Sequence, residues 1–128
     1  MSRIKVVKFK GCSNIQISKA LIELSSELIS SCGEDEILKK NIISLAIQGW
    51  NLSLYQDSDE NYLKKIQSKL PKNLPENYCN IIKSFLLKLI RQKQKEYPDY
   101  FKGITSFNVK FEKGETLLTV NALPVKPV

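Results

Sequence analysis

Apolar side chains recur at helical spacing through the first part of the chain. Between Ser13 and Gly33 they advance by four, three and four positions, which places them on one face of a helix. Serine is a common helix cap, and glycine ends helices because it adopts left-handed backbone angles easily. The pattern predicts a first amphipathic helix whose inward residues are Ile17, Leu21, Leu24 and Leu28.

The next segment, from Glu34 to about Tyr55, is apolar around most of its circumference. Its polar positions fall on one narrow stripe, namely Lys40, Ser44, Gln48 and Asn51. A helix with so little polar surface is expected in the middle of a domain, with Trp50 buried. Gly49 is expected to permit a close approach between helices.

Two further helices follow, separated by proline. The acidic run at residues 57–60 predicts a loop and cap, and the third helix begins there with Tyr62, Leu63, Ile66 and Leu70 facing inward. The fourth helix is predicted from Pro75 to about Glu96, because proline is favoured at a first helical position and Pro98 stops the helix. Its inward stripe is predicted as Tyr78, Ile82, Phe85 and Leu89.

The last part of the chain alternates between apolar and polar residues, as a β-hairpin does. If Lys113 and Gly114 form a two-residue turn, Phe111 opposes Thr116, Val109 opposes Leu118 and Phe107 opposes Val120. This register places the large apolar side chains on one face. Residues 3–9 alternate weakly, which predicts a short strand or an ordered arm.

Together these elements predict one α+β domain over residues 1–128, with about four helices packed on a small antiparallel sheet. The sheet is the C-terminal hairpin, and an N-terminal strand is an optional third member. The expected divisions are a strand or arm at 1–12, a helical region at 13–97, the hairpin at 103–123 and a tail at 124–128.

Composition narrows the class of protein. The chain has 42% hydrophobic and 26% charged residues, which is typical of a globular protein. Its three cysteines, Cys12, Cys32 and Cys79, form no CxxC pair and are odd in number, so buried thiols in a reducing cytoplasm are expected. No targeting segment is recognised, and every apolar run is too short to span a membrane.

Catalytic and metal-binding patterns are missing from the sequence. Histidine, the commonest general base and metal ligand, does not occur, and the five glycines are isolated from one another. The Asp57-Ser58-Asp59 run does not fit a calcium loop, and Glu112 and Lys113 are adjacent where a metal-dependent nuclease needs a one-residue gap. We therefore expect no enzymatic activity, no metal site and no cofactor.

Charge is distributed unevenly along the chain, whose net charge is +7. Residues 11–60 carry three lysines against eight acids, and residues 61–102 carry ten basic residues against three acids. Lys88, Arg91 and Lys95 form one stripe on the fourth helix. The stripe is accompanied by Lys93 and Lys102 and by the aromatic residues Tyr97, Tyr100 and Phe101.

Two interpretations of this basic and aromatic set remain open. Positive charge for phosphates and rings for bases would suit a nucleic-acid strand or an acidic partner. Alternatively, the charged residues form a solvated helix face, and the aromatic residues pack the end of the helix onto the hairpin.

A second surface feature is a surplus of apolar residues outside the predicted core stripes. These are Leu87 and Ile90 on the fourth helix, and Leu117, Leu123 and Ile104 on the second face of the hairpin. Either the fold covers both faces of the sheet or a partner covers one. We expect Leu87, Ile90, Leu117 and Leu123 to form a protein interface.

From the sequence we thus expect a non-enzymatic interaction module, a small subunit or accessory protein of an intracellular bacterial or viral assembly. A protein partner or self-association is expected. Nucleic-acid binding through the basic fourth helix is the alternative.

Overall fold

The computed structural model describes residues 3–6 and 12–124, with side chains from residue 16 onward. The predicted α+β class is confirmed, with four helices packed on a small sheet. In chain order the elements are β1 (Arg3–Val6), α1 (Cys12–Ser31), α2 (Glu36–Leu52), α3 (Asp59–Lys69), α4 (Glu76–Glu96), β2 (Lys102–Glu112) and β3 (Glu115–Pro124). Of the predicted tail, Pro124 ends β3 and the rest lies outside the described residues.

The hairpin has the predicted register. Phe111 pairs with Thr116, Val109 with Leu118 and Phe107 with Val120. The turn residues Lys113 and Gly114 both have positive φ, 50° and 76°, and this backbone twist matches the twist of the two strands. A register shift between Ile104 and Ser106 was not predicted.

The N-terminal strand joins this hairpin, but it runs parallel to its neighbour. The strand order is β1-β3-β2, and Arg3 lies opposite Glu115 while Val6 lies opposite Leu118. A parallel pair needs a long crossover, which the four helices and β2 together supply. The sheet is therefore mixed, whereas the sequence predicted an antiparallel one.

The helices form two layers on one face of the sheet. α1 packs on β3, α2 packs on β2 and α4 lies on α2 and α1, with α3 against α4. Local caps fix where the helices begin, because Asp35 accepts a hydrogen bond from Leu38 N at the start of α2 and Ser58 accepts one from Asn61 N at the start of α3.

α2 lies at the centre, as predicted. Trp50 is fully buried, and a Cβ at Gly49 would lie 3.2 Å from Cδ2 of both Leu86 and Leu89. Glycine thus lets α2 and α4 approach closely, which confirms the sequence prediction. One core cluster joins α1, α2 and the sheet, and a second joins α3 to α4.

The predicted inward stripe of α4 is partly wrong. Tyr78 is 55% exposed, whereas Cys79, Leu86 and Ile90 are buried. α4 packs against α2 on one side and α3 on another, so its buried face is wider than one stripe and centred differently. The neighbouring helices, and not the periodicity of α4 alone, decide which residues are covered.

Candidate interaction groove

A groove of about 480 Å³ runs between α1 and α4. Its floor is apolar and is formed by Leu24 and Leu28 of α1 and by Phe85 and Leu89 of α4. Each pair is one helical turn apart, so both members face the same way. Leu89 is buried, but the other three are only half-buried, because α1 and α4 do not close over them.

The two rims of the groove carry opposite charges. The exposed carboxylates of Glu23 and Glu27 lie on the α1 side, and the exposed ammonium of Lys88 lies on the α4 side with Ser84 and Gln92. Within residues 16–124, neither Glu27 nor Lys88 forms an ion pair. The rims therefore present charge to solvent and to any molecule that enters the groove.

One rim carboxylate is held in place. Tyr97, which follows the last residue of α4, donates a hydrogen bond of 2.6 Å from its hydroxyl to Glu23. This bond to a carboxylate is the main reason why the pKa of Tyr97 is raised. The contact fixes the C-terminal end of α4 beside α1.

Exposed apolar side chains continue the groove toward the other end of α4. Tyr78 and Ile81 are each 55% exposed. Tyr78 lies three residues before Ile81, and Ile81 lies four residues before Phe85, so the three side chains share one helix face. Isolated exposed apolar residues are common on proteins, but these two extend an apolar floor. They make this face of α4 apolar over most of its length.

The basic stripe of α4 is only partly free. Lys88 and Lys95 are exposed, as predicted, but Arg91 donates from its guanidinium to Asp59 and lies over the ring of Tyr62, 5.2 Å from its centroid. Arg91 thus ties α4 to α3. The Asp59 carboxylate partly neutralises the charge of Arg91, so Arg91 contributes less positive potential than the sequence implied.

Lys93 is buried, so its assignment to the basic surface site is wrong. The side chain is 2% exposed, and its Nζ donates a 2.7 Å hydrogen bond to the carbonyl oxygen of Tyr100. The same Nζ lies 5.1 Å from the centroid of the Trp50 ring and 5.8 Å from that of Phe101. Burial lowers the pKa of Lys93 to about 8. Lys93 therefore cannot contact a surface partner without local unfolding.

The aromatic residues after α4 are mostly engaged within the fold. The Tyr100 ring lies 6.3 Å from Trp50 and 5.1 Å from Tyr97 between centroids. The carbonyl of Lys102 accepts a 2.9 Å hydrogen bond from Trp50 Nε1. Only Phe101, at 45% exposed, offers substantial ring surface to solvent in this segment. These contacts support the interpretation that the aromatic residues pack the end of α4 onto the fold.

The four residues expected at a protein interface do not come together. Ile90 is fully buried and Leu87 is half-buried, both in the α3–α4 core cluster, so the prediction that Ile90 is a surface residue is wrong. Leu117 is half-buried and pairs with Lys110 on the hairpin. Leu123 is 62% exposed beside Tyr55 at the end of β3.

The groove itself was missed by sequence reasoning. Leu24, Leu28 and Phe85 were assigned to core stripes, and a single sequence does not show that two such stripes stay apart. One signal was present, because Tyr78 and Ile81 continue the spacing of Phe85 toward the start of α4.

Other classes of site have no support among the described residues. No group of three or more cysteine, aspartate and glutamate side chains is placed to hold a metal ion in residues 16–124. Cys32 and Cys79 are free thiols, and the side chain of Cys12 lies outside the described part. No helix within residues 12–124 is long and apolar enough to cross a membrane.

The groove thus combines an apolar floor, oppositely charged rims and an exposed apolar extension along α4. A scan against protein-family models, a search of the curated proteins and a search of the solved structures each found no match.

Proposed function

We propose that the chain is a non-enzymatic protein-interaction module that holds an apolar helix in the groove between α1 and α4. The observation that carries this proposal is the half-covered apolar floor of Leu24, Leu28 and Phe85 with charged rims of opposite sign. An amphipathic helix that lays its apolar face into such a groove is a common mode of recognition. In this role the chain would be a small subunit or accessory protein of an intracellular bacterial or viral assembly.

The shape of the floor supports a helical occupant. Residues one turn apart on α1 and α4 form ridges, and the side chains of a third helix fit between such ridges. The apolar floor would supply affinity, because buried apolar anchors usually outweigh exposed charges at interfaces. The rims would set the direction in which the helix lies, since complementary charges fix orientation more than strength.

Nucleic-acid binding stays the alternative, supported by the exposed Lys88 and Lys95 and by the exposed ring of Phe101. It has less support than the groove. Arg91 is shared with Asp59 and Lys93 is buried, so two of the basic residues counted in the sequence are engaged inside the fold.

The proposal is tested by the size of the particle that contains the chain in an extract of its own cells. We expect the wild-type chain to elute above its own mass on gel filtration, and Ile81→Asp to elute at a smaller size. Ile81 is exposed, so the substitution should leave the fold intact. Ile37→Asp makes the same change at an exposed position of α2 outside the groove lining, and this matched control should elute like the wild type.

Nuclease treatment of the same extract separates the two functions. A large particle that survives nuclease and is lost in Ile81→Asp supports the groove. A large particle that collapses with nuclease and is indifferent to Ile81→Asp supports the nucleic-acid alternative. A chain that elutes at its own mass before any treatment contradicts the proposed function.

A further inference from the structure

The outer edge of β2 carries backbone groups that no neighbouring strand uses. The strand order β1-β3-β2 places β2 at the edge of the sheet. Glu112 and Glu115 flank the two-residue turn and exchange hydrogen bonds, so every second residue before Glu112 directs its N–H and C=O away from β3. Phe107, Val109 and Phe111 are these residues. Their outward groups have no partner within residues 3–6 and 12–124.

The fold closes this edge only at its start. There the side chain of Asn51, near the end of α2, bonds both outward groups of Ile104. Near the start of α2, Lys39 lines a pocket together with Thr116 of β3, the middle strand. α2 therefore crosses from the edge toward the middle of the sheet. It leaves residues 106–112, the open stretch, free along the edge.

The helix-facing side of the open stretch is apolar and only partly covered. Phe107, Val109 and Phe111 are half-buried there, whereas Leu118 and Val120 on β3 are buried. Many proteins block an exposed edge with proline or a bulge, and the open stretch contains neither. Unpaired backbone groups beside apolar side chains are what an added β-strand requires.

We propose that the added strand is β2 of a second copy, antiparallel to the first about a two-fold axis at Val109. Val109 is the midpoint of residues 106–112, so each copy offers the same seven residues to the other. Phe107 of each copy then lies opposite Phe111 of the other, and cross-strand aromatic pairs stabilise a sheet. The outward groups form about six hydrogen bonds between the copies, two for each of three residue pairs.

The charged residues of the open stretch fit a second copy in this register. On the exposed face Asn108 lies opposite Lys110 of the other copy, and Ser106 lies opposite Glu112, so no like charges are directly opposed. An axis at Lys110 would oppose the two lysines, and an axis at Asn108 would run the other copy into the closed start of the edge. The two Lys110 groups remain diagonal neighbours on the exposed face, where solvent screens them.

The first test changes the charge at Asn108, which is exposed. Sedimentation of the purified chain over a range of concentrations should show a monomer–dimer equilibrium in the wild type. Asn108→Glu should tighten the dimer about two- to thirtyfold, and Asn108→Lys should weaken it by a similar factor, because each dimer contains the new pair with Lys110 twice. Gln67→Glu and Gln67→Lys change the net charge equally at an exposed position of α3 and should have a smaller effect.

The second test removes an outward N–H group. Val109→Pro should abolish the dimer, since proline lacks that N–H, while the bonds between β2 and β3 do not use it. Val109→Ala keeps the N–H and should weaken the dimer less. A circular dichroism spectrum and melting curve like those of Val109→Ala would establish that Val109→Pro remains folded.

The inference goes beyond the proposed function, because the edge of β2 is separate from the groove between α1 and α4. Ile81→Asp should therefore leave the dimer intact, and a dimer lost in Ile81→Asp overturns the strand pairing. A wild-type chain that stays monomeric up to about 1 mM, where even weak contacts register, also overturns it. So does a dimer that survives Val109→Pro, or one that responds to the Asn108 variants no more than to the Gln67 controls.

Discussion

The ammonium group of Lys93 is the charge most deeply enclosed in the described part of the chain. It faces the rings of Trp50 and Phe101 and is bonded to one carbonyl oxygen. Burial lowers its pKa to about 8, whereas a lysine in an unfolded chain titrates near 10.4. Between these values the unfolded chain holds a proton that the folded chain has released. Stability should therefore rise with pH through that range.

Urea unfolding at about pH 7.5, 8.5 and 9.5 measures this dependence, and a single proton can lower the unfolding constant by at most about tenfold per pH unit. Lys93→Met should remove the rise, and Lys88→Met, a lysine at an exposed position, should retain it. Measurements should stop below pH 10. Tyr97 has a raised pKa in the fold, so its titration lowers stability there. Burial also raises the pKa of Cys32, which opposes the rise in the same range. A wild-type profile that rises no more steeply with pH than that of Lys93→Met would contradict the account.

The contrast between Lys88 and Lys93 shows what the sequence could reveal at this scale. Lys88 is exposed, as its position on the basic stripe predicted. Lys93 follows Leu86 by seven residues and Ile90 by three, which is the spacing of a buried face, but lysine is so rarely buried that this spacing does not predict its burial. Its carbonyl and ring partners come from other parts of the chain, and no local pattern indicates them.

At the scale of elements, α2 is fastened to the edge of β2 by side chains that bond to the strand's backbone. Asn51 Nδ2 donates to the carbonyl of Ile104 at 3.0 Å, and Ile104 N donates to Asn51 Oδ1 at 2.8 Å. Trp50 Nε1 adds the bond to the carbonyl of Lys102. The asparagine side chain thus replaces a neighbouring strand at this position, and the Ile104 side chain is buried beneath it.

Asn51→Ala should reduce the free energy of unfolding by about 1–3 kcal/mol, because it leaves the N–H and C=O of Ile104 without partners. Asn108→Ala is the matched control, since Asn108 is exposed on the same strand and should change stability by less than about 0.5 kcal/mol. Denaturant unfolding of the three proteins gives the comparison. Equal stability of the two variants would show that the contact does not hold α2 on the sheet.

Elements that depend on neighbouring residues in the chain could be predicted from the sequence. The hairpin register followed from a two-residue turn and strict alternation, and both are properties of adjacent residues. The buried face of α4 was not predictable in full, because α2 and α3 cover it from two directions and enclose Ile90 as well as Leu89. The parallel pairing of β1 likewise depends on a crossover that spans nearly the whole chain.

For the whole molecule, the layer order explains why the groove exists. α2 is covered by the sheet on one side and by α4 on the other, so α1 and α4 meet only along part of their lengths. The apolar floor between them is exposed where they diverge. The groove depends on how α1 and α4, which are distant in sequence, pack together. The sequence alone therefore predicts that its floor residues belong to the core.

The uneven charge of the chain also has a structural meaning at this scale. Three of the ten basic residues between 61 and 102 form ion pairs within the fold, namely Lys64 with Glu60, Lys65 with Asp57 and Arg91 with Asp59. What faces the groove is a smaller and more balanced set, two acids on α1 and one lysine on α4. Such a balance suits an oriented helix better than a polyanion.

Contact mapping by photo-crosslinking tests the central claim, a protein held in the groove, most directly. A photoreactive amino acid replaces Ser84, an exposed residue of the groove, in cells that make the protein. The same group at Lys64, whose side chain is 72% exposed on α3, serves as the control. We expect a polypeptide adduct from position 84 that is absent from position 64 and is lost when Ile81→Asp is added. Adducts to nucleic acid, or no more polypeptide adduct at 84 than at 64, would contradict the account.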